Sequence, residues 1–243
     1  MANIHIVLQG KGGVGKSMIA SVLAQYMLDK NETPTCIDTD PVNATFVGYA
    51  ALNARRIQIM DGDEINSRNF DALIEQIASS ENPVIIDNGA SSFIPLSHYM
   101  VSNDVATILN EMGHKLIIHT VVTGGQALTD TLKGLAALLT QFPTGSAIFI
   151  VWLNPYWGPI EAEGKTFEKM KTYTENKSRV SGIVYLPTLK ADTFSRDFAE
   201  MLQERQTFDE ALASPSLPIM VRQRLKIVKA EIFSKLDSVS GIL

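Results

Sequence analysis

The stretch from Ile4 to Ser17 reads IHIVLQGKGGVGKS. An apolar run, Ile4-His5-Ile6-Val7-Leu8, leads into a glycine-rich octet, Gly10 to Ser17, and a helical pattern follows. Strand, glycine loop and helix in that order are the context in which G-x-x-x-x-G-K-[ST] marks a phosphate site. Gly10, Gly12, Gly13 and Gly15 leave the backbone free to turn its N–H groups around phosphate oxygens, and Lys11, Val14 and Met18 add their own peptide groups to the same segment. A helix beginning near Lys16 aims its positive end at the same anion. Lys16 is placed to reach the β- and γ-phosphates, and Ser17 to hold Mg²⁺.

The rest of the chain suits that beginning. Its 243 residues, 45% of them hydrophobic, bury enough surface for one α/β domain spanning 1–243. The net charge of −5 does not mark the whole chain as a nucleic-acid binder. Cys36 is the single cysteine, which excludes an intrachain disulfide and a Cys₄ metal centre and fits a reducing compartment. With no basic segment leading into a long apolar stretch, and no apolar run longer than Ala147–Leu153, a cytoplasmic location is expected.

Short apolar runs alternate with helical patterns along the chain. Strands are predicted at Ile4–Gln9, Thr35–Asp38, Val84–Asp87, Lys115–Val122, Ala147–Asn154 and Gly182–Pro187. Several are apolar throughout, as strands covered by helices on both faces must be. Between them, Ile19, Val22, Leu23, Tyr26 and Met27 share one helical face, and so do Phe70, Leu73, Ile74 and Ile77. A further helix is expected from Gln126 to Phe142 after the Gly124-Gly125 turn. The pattern predicts a doubly wound, mainly parallel sheet with helices on both faces.

Ligands of such sheets sit beyond the carboxyl ends of the strands. The second strand leaves through Asp38-Thr39-Asp40-Pro41, two carboxylates able to face Mg²⁺ or an attacking water. The third leaves through Asp87-Asn88-Gly89, an apolar strand ending in an aspartate that holds Mg²⁺ directly or through water, with the Gly89 N–H free for a γ-phosphate. Each is also an ordinary turn sequence, so the phosphate loop upstream carries the functional reading.

Lys11 is not required by the phosphate-loop pattern. With it, the loop resembles the deviant Walker A of the ParA/MinD family of dimeric P-loop ATPases. The resemblance implies ATP and Mg²⁺ as ligands and a nucleotide-dependent homodimer in which Lys11 reaches the partner's phosphates. It makes Asp40 the residue that orients the attacking water, with Lys11 and Lys16 stabilising phosphate charge. Ser17, Asp38 and Asp87 would serve the metal, and Asn154 and Pro187 would border the adenine. Val42 stands where the partition proteins carry glutamine and glycine, and Asn88-Gly89-Ala90-Ser91-Ser92 departs from the family's proline-containing switch. Beyond the family-wide loop, the stretches DNGASSF and WLNPYWGP are more particular. They resemble conjugal-transfer proteins of broad-host-range plasmids, which implies an accessory ATPase of plasmid transfer, with a relaxosome or other conjugation protein as partner.

A basic amphipathic helix is expected at about 217–237. Val221, Leu225, Val228, Ile232 and Leu236 form its stripe; Arg222, Arg224, Lys226, Lys229 and Lys235 stand against Glu231. Such a helix contacts DNA or a membrane surface, or docks on its own domain. Trp152, Tyr156 and Trp157 flank Asn154 as core, nucleotide lid or partner contact, and Asp61-Gly62-Asp63-Glu64 reads as a solvated turn. Other classes remain in view: a nucleotide-holding scaffold with little turnover, a plasmid partition or stability ATPase, and a small-molecule kinase or ligase that would have no use for Lys11. A GTPase is disfavoured because Asn176-Lys177-Ser178-Arg179 lacks the final aspartate of the guanine-reading motif, and one cysteine per chain excludes a dimer-bridging Fe₄S₄ cluster.

Overall fold

The computed structural model describes all 243 residues, Met1–Leu243. The strands are β1 Asn3–Val7, β2 Thr35–Asp38, β3 Arg55–Arg56, β4 Met60–Asp61, β5 Glu64–Ile65, β6 Val84–Asp87, β7 Lys115–Thr123, β8 Ile148–Asn154, β9 Glu161–Ala162, β10 Lys165–Thr166 and β11 Val180–Tyr185. The helices are α1 Lys16–Asp29, α2 Asn69–Ala78, α3 Phe93–Ser102, α4 Val105–Glu111, α5 Leu128–Gln141, α6 Lys171–Thr174, α7 Arg196–Gln203, α8 Phe208–Ala213 and α9 Ile219–Asp237. Seven strands make one sheet in the order β11-β8-β7-β1-β6-β2-β3, parallel at every pairing. The six expected strands are all present. The first and last end earlier than the apolar runs suggested, at Val7 and Tyr185, although Leu8 and Leu186 each still donate one bond to the neighbouring strand.

Alternation along β1 divides the core. Ile4, Ile6 and Leu8 pack with Leu73 of α2, Leu96 of α3, Leu109 of α4 and Leu135 of α5. Val7 faces the opposite side with residues of α1, α8 and α9. His5 and His119 are buried in this sheet, His5 Nδ1 3.0 Å from His119 Nε2, and Trp152 Nε1 donates to His119 Nδ1 at 2.9 Å. Burial pushes the His5 pKa down to about 3, so these rings stay neutral in the fold.

Helix α1 departs from the one-sided expectation. Ala20, Ser21, Ala24 and Gln25 are buried along with the apolar stripe. The reason is the C-terminal third of the chain, which covers the outer side of α1. Gln25 Oε1 accepts from the Phe208 N–H at 2.6 Å, and the Tyr26 ring meets Phe233 edge-on at 5.4 Å. The α9 stripe is docked in the same cluster, with Leu225, Val228, Ile232 and Leu236 buried. Its inner cations are used internally. Arg224 pairs with Asp197 at 2.5 Å, and Lys229 with Asp29 at 3.0 Å and Asp209 at 2.8 Å. Lys226 and Lys235 are left on the surface. No helix is long and apolar enough to cross a membrane.

Three small elements were not legible in the apolar pattern. The edge strand β3 is two arginines, and the hairpins β4–β5 and β9–β10 have two residues per strand. The Asp61–Glu64 cluster forms the exposed turn of the first hairpin, with Gly62 at φ 60°.

Candidate functional site

The strand order places the loop after β1 between the ends of β6 and β7. The parallel register sets Val7 beside Asp87 on one side and His119 on the other, and Asp38 beside Asp87. Two strand-end aspartates are thereby side by side next to the glycine loop. Gly13 (φ 72°) and Gly15 (φ 102°) hold the left-handed conformations that bend the loop into α1. Gly10 packs edge to ring with Phe93 of α3, where an added Cβ would come within 3.0 Å of the phenyl. The loop thus rests on the helix that follows Asn88-Gly89.

Lys16 and Lys11 leave this loop in opposite senses. Lys16 is 8% exposed, and its Nζ turns back to donate to the Lys11 carbonyl at 3.0 Å. Burial lowers its pKa, and the charges of Asp87 and Asp40 work against that. Lys11 points outward. Its Nζ pairs with Asp130 Oδ2 at 2.9 Å, on the first turn of α5, with both side chains about half exposed. No sequence signal joins these two residues. They meet because β7 lies next to β1, so the helix after β7 starts beside the loop after β1.

Asp87 is buried, and neither of its carboxylate oxygens has a hydrogen-bond partner. Burial raises its pKa to about 7. Ser17 and Lys16 pull it down, although the Ser17 hydroxyl forms no hydrogen bond with it, and Asp38 and Asp40 push it up. Asp38 is raised chiefly by burial, but its carboxylate accepts the Asp40 and Val47 N–H groups at 2.9 and 3.1 Å. Asp38 is therefore engaged in shaping the loop behind it. Asp40 Oδ1 takes the Val42 and Asn43 N–H groups at 2.8 and 3.1 Å and leaves Oδ2 unused. An added Cβ at Gly89 would come within 2.6 Å of that carboxylate, so only glycine allows the two loops to touch. Asn88 ties them together: its Oδ1 accepts from Thr39 at 3.2 Å and from Ser92 at 2.8 Å. Sequence alone gives Thr39, Asn88 and Ser92 no part in joining the two loops, since residues of these types are common in turns.

An uncompensated buried carboxylate lowers stability, and Asp87 makes that measurable. Its raised folded pKa means that its contribution is intact below about pH 4 and is lost as the pH rises to about 7. Asp87→Asn removes the ionisation. The variant's stability advantage over the wild type should grow by up to about 1.4 kcal/mol per pH unit across that window. Urea unfolding of both proteins at pH 5 and pH 8, without nucleotide or metal, checks this; an equal difference at the two pH values would contradict it.

On the other side of the loop lies a largely apolar pocket of about 340 Å³. Gly13, Gly15, Asn154, Tyr156, Pro187 and Phe198 are among the residues that line it. Asn154 is held by two bonds. Its Nδ2 donates to the Val14 carbonyl at 3.0 Å, and its Oδ1 accepts the Tyr156 N–H at 3.2 Å. One amide hydrogen and one lone pair remain for a ligand. Trp152 is core, while Tyr156 and Trp157 are more than half exposed.

Strand-loop-helix geometry, a buried lysine and the paired strand-end carboxylates define a P-loop nucleotide-binding fold. The description of the CobQ/CobB/MinD/ParA nucleotide-binding domain matches residues 5–234, and the chain belongs to that family. Within it, the chain is similar to two proteins named Protein TraL from Escherichia coli, each 67% identical over 238 residues and 98% of both chains. Among solved structures it is similar to the MinD cell division protein of Aquifex aeolicus (TM-score 0.53, 14% identity, 96% of this chain and 97% of that one). It is also similar to a ParA family ATPase from Chlorobium tepidum (TM-score 0.52, 14% identity, 94% and 98%). These two likenesses are likenesses of fold.

Proposed function

We propose that this protein binds and hydrolyses ATP with Mg²⁺ and that nucleotide state controls the pairing of two copies, in the service of plasmid conjugal transfer. The observation that carries the reading is the divergence of the two lysines. The Lys16 side chain turns back into the loop, whereas the Lys11 side chain points away from it to the surface, where a second copy can be met. The setting in conjugation is supported by the resemblance of DNGASSF and WLNPYWGP to conjugal-transfer proteins, and similarity to Protein TraL runs over nearly the whole chain.

The residues fit the ligands. No three His, Cys, Asp or Glu side chains are grouped to cage a metal, which suits Mg²⁺ held by one or two protein groups together with phosphate oxygens and water. The Ser17 hydroxyl and the unpartnered Asp87 carboxylate are the groups for it. Held by these two groups, the metal would supply positive charge to the phosphate chain. Lys16 binds the same phosphates, and Gly10 to Met18 surround them with backbone. Asp40 Oδ2, free while Oδ1 holds the turn, orients water. Gly89 offers its N–H at the γ end, Asp38 fixes Asp40, and Asn154 and Pro187 border the adenine in the apolar pocket. Lys11 exchanges Asp130 for the partner's phosphates, a modest exchange because both side chains are already in water.

A second reading, a nucleotide-holding module with little turnover, is favoured by the Thr39–Asn88 bond, which ties the loop after β2 to the loop after β6, where Ser92 holds the same Asn88 oxygen. Phosphate release from ATP, with Mg²⁺ and with EDTA, separates the readings. Metal-dependent turnover supports the ATPase; tight ATP binding with no turnover, even beside candidate transfer proteins, supports the holder. Absence of nucleotide binding would sink both.

A further inference from the structure

The turn that follows β8 is fastened to the phosphate loop. Trp157 Nε1 donates to the Gly13 carbonyl at 3.3 Å, and Asn154 Nδ2 donates to the next carbonyl, Val14, at 3.0 Å. The turn's own backbone is pinned from behind. A Cβ at Gly125 would come within 2.5 Å of the Trp157 carbonyl oxygen, and one at Gly124 would strike the Gly158 and Pro159 oxygens, so Gly124-Gly125 lies directly against it. Trp157 itself is 57% exposed, with its ring edge-on to Tyr156 at 4.9 Å. Burial of so little of an indole does not account for its placement; the N–H bond to the loop does.

Each trans peptide carries its C=O and N–H on opposite sides, and there is no cis peptide in the chain. A donor that holds the Gly13 carbonyl outward therefore turns the Val14 N–H the other way. Holding the Val14 carbonyl does the same for the Gly15 N–H. Neither N–H donates to a backbone carbonyl. Successive backbone N–H groups turned to one side form an anion-binding concavity, and fixing them before the ligand arrives removes part of the ordering cost of binding.

We propose that Trp157 is a positioning residue for the phosphate loop: through the Gly13 carbonyl, and together with Asn154, it presets the N–H groups that receive the phosphate chain. The inference rests on the nucleotide-binding reading and adds to it a residue outside the P-loop motif. Its role is in phosphate affinity rather than in reading the base.

The test compares wild type, Trp157→Phe and Trp157→Ala. Phenylalanine keeps an aromatic face and removes the N–H. Binding of ADP is measured by calorimetry, and inorganic tripolyphosphate, which has the phosphate chain and no base, is used as competitor. Loss of one hydrogen bond predicts that Trp157→Phe weakens both ligands about three- to tenfold, and Trp157→Ala by the same factor. Where turnover is measurable, KM rises and kcat stays within about twofold. Unchanged thermal midpoints show that the fold is not the cause. If tripolyphosphate competes equally with wild type and Trp157→Phe, or fails to compete with wild type at all, the proposal is overturned. The same holds if only Trp157→Ala weakens ADP, since the ring would then be stacking on the base. Wild type that binds no ADP overturns the nucleotide reading itself; wild type that binds it, with an unaffected Trp157→Phe, overturns this inference alone.

Discussion

Lys16→Ala should bind ADP and ATP at least about a hundredfold more weakly than wild type. The ammonium is nearly enclosed, so its bonds to phosphate are made where water screens them little. Its own burial is costly and is offset by Asp87 and Asp40. Without the cation, those two carboxylates remain as like charges beside a polyanion, and the loss exceeds that of one hydrogen bond. Lys16→Arg should not rescue binding, because the planar guanidinium does not fit the space of an ammonium folded onto the Lys11 carbonyl. Calorimetric titration with ADP decides the matter. An affinity within a few fold of wild type would place the phosphates elsewhere.

Lys11→Ala should separate binding from turnover. The Lys11 side chain bonds to Asp130 and to nothing inside its own loop, and alanine keeps the backbone carbonyl that Lys16 holds, so ADP affinity should stay within about threefold. Turnover should fall by about a thousandfold, the scale set by a cation supplied across an interface to the transferred phosphoryl group. Two copies should no longer pair on binding an ATP analogue. A Lys11→Ala protein that hydrolyses ATP as fast as wild type would remove the role given to this residue and leave a kinase-like or ligase-like enzyme in contention.

The fold could be read from sequence because its strands are buried on both faces. Val84–Asp87 and Ile148–Asn154 are apolar with no polar alternation, and such runs bounded by turns leave few alternatives. The arginine pair of β3 and the two-residue hairpins carry no such pattern, since at the sheet edge no hydrophobic face selects their residues. The surroundings of α1 were hidden for another reason. Its polar residues Ser21 and Gln25 look solvated until the segment near Phe208, some 180 residues later, is laid over them.

The site divides in the same way. Lys16, Ser17 and the strand-end aspartates lie in local patterns whose chemistry requires those residue types. Asp130, Trp157 and Asn88 act through contacts that exist only once the sheet sets β7 beside β1, β8 beyond β7, and β6 beside β2. Asp130 and Trp157 are more than a hundred residues from the loop they touch, and neither has a neighbour in sequence that announces the contact. Asn154 was legible as a strand-end residue, but its two bonds to Val14 and Tyr156 were not.

The central claim is a pairing of two chains that depends on the third phosphate. Static light scattering on the purified protein with Mg²⁺ tests it, with ADP in one sample and a non-hydrolysable ATP analogue in the other. The account predicts the mass of one 26.6 kDa chain with ADP and twice that with the analogue. One mass in both samples, with nucleotide binding verified in each, would contradict it.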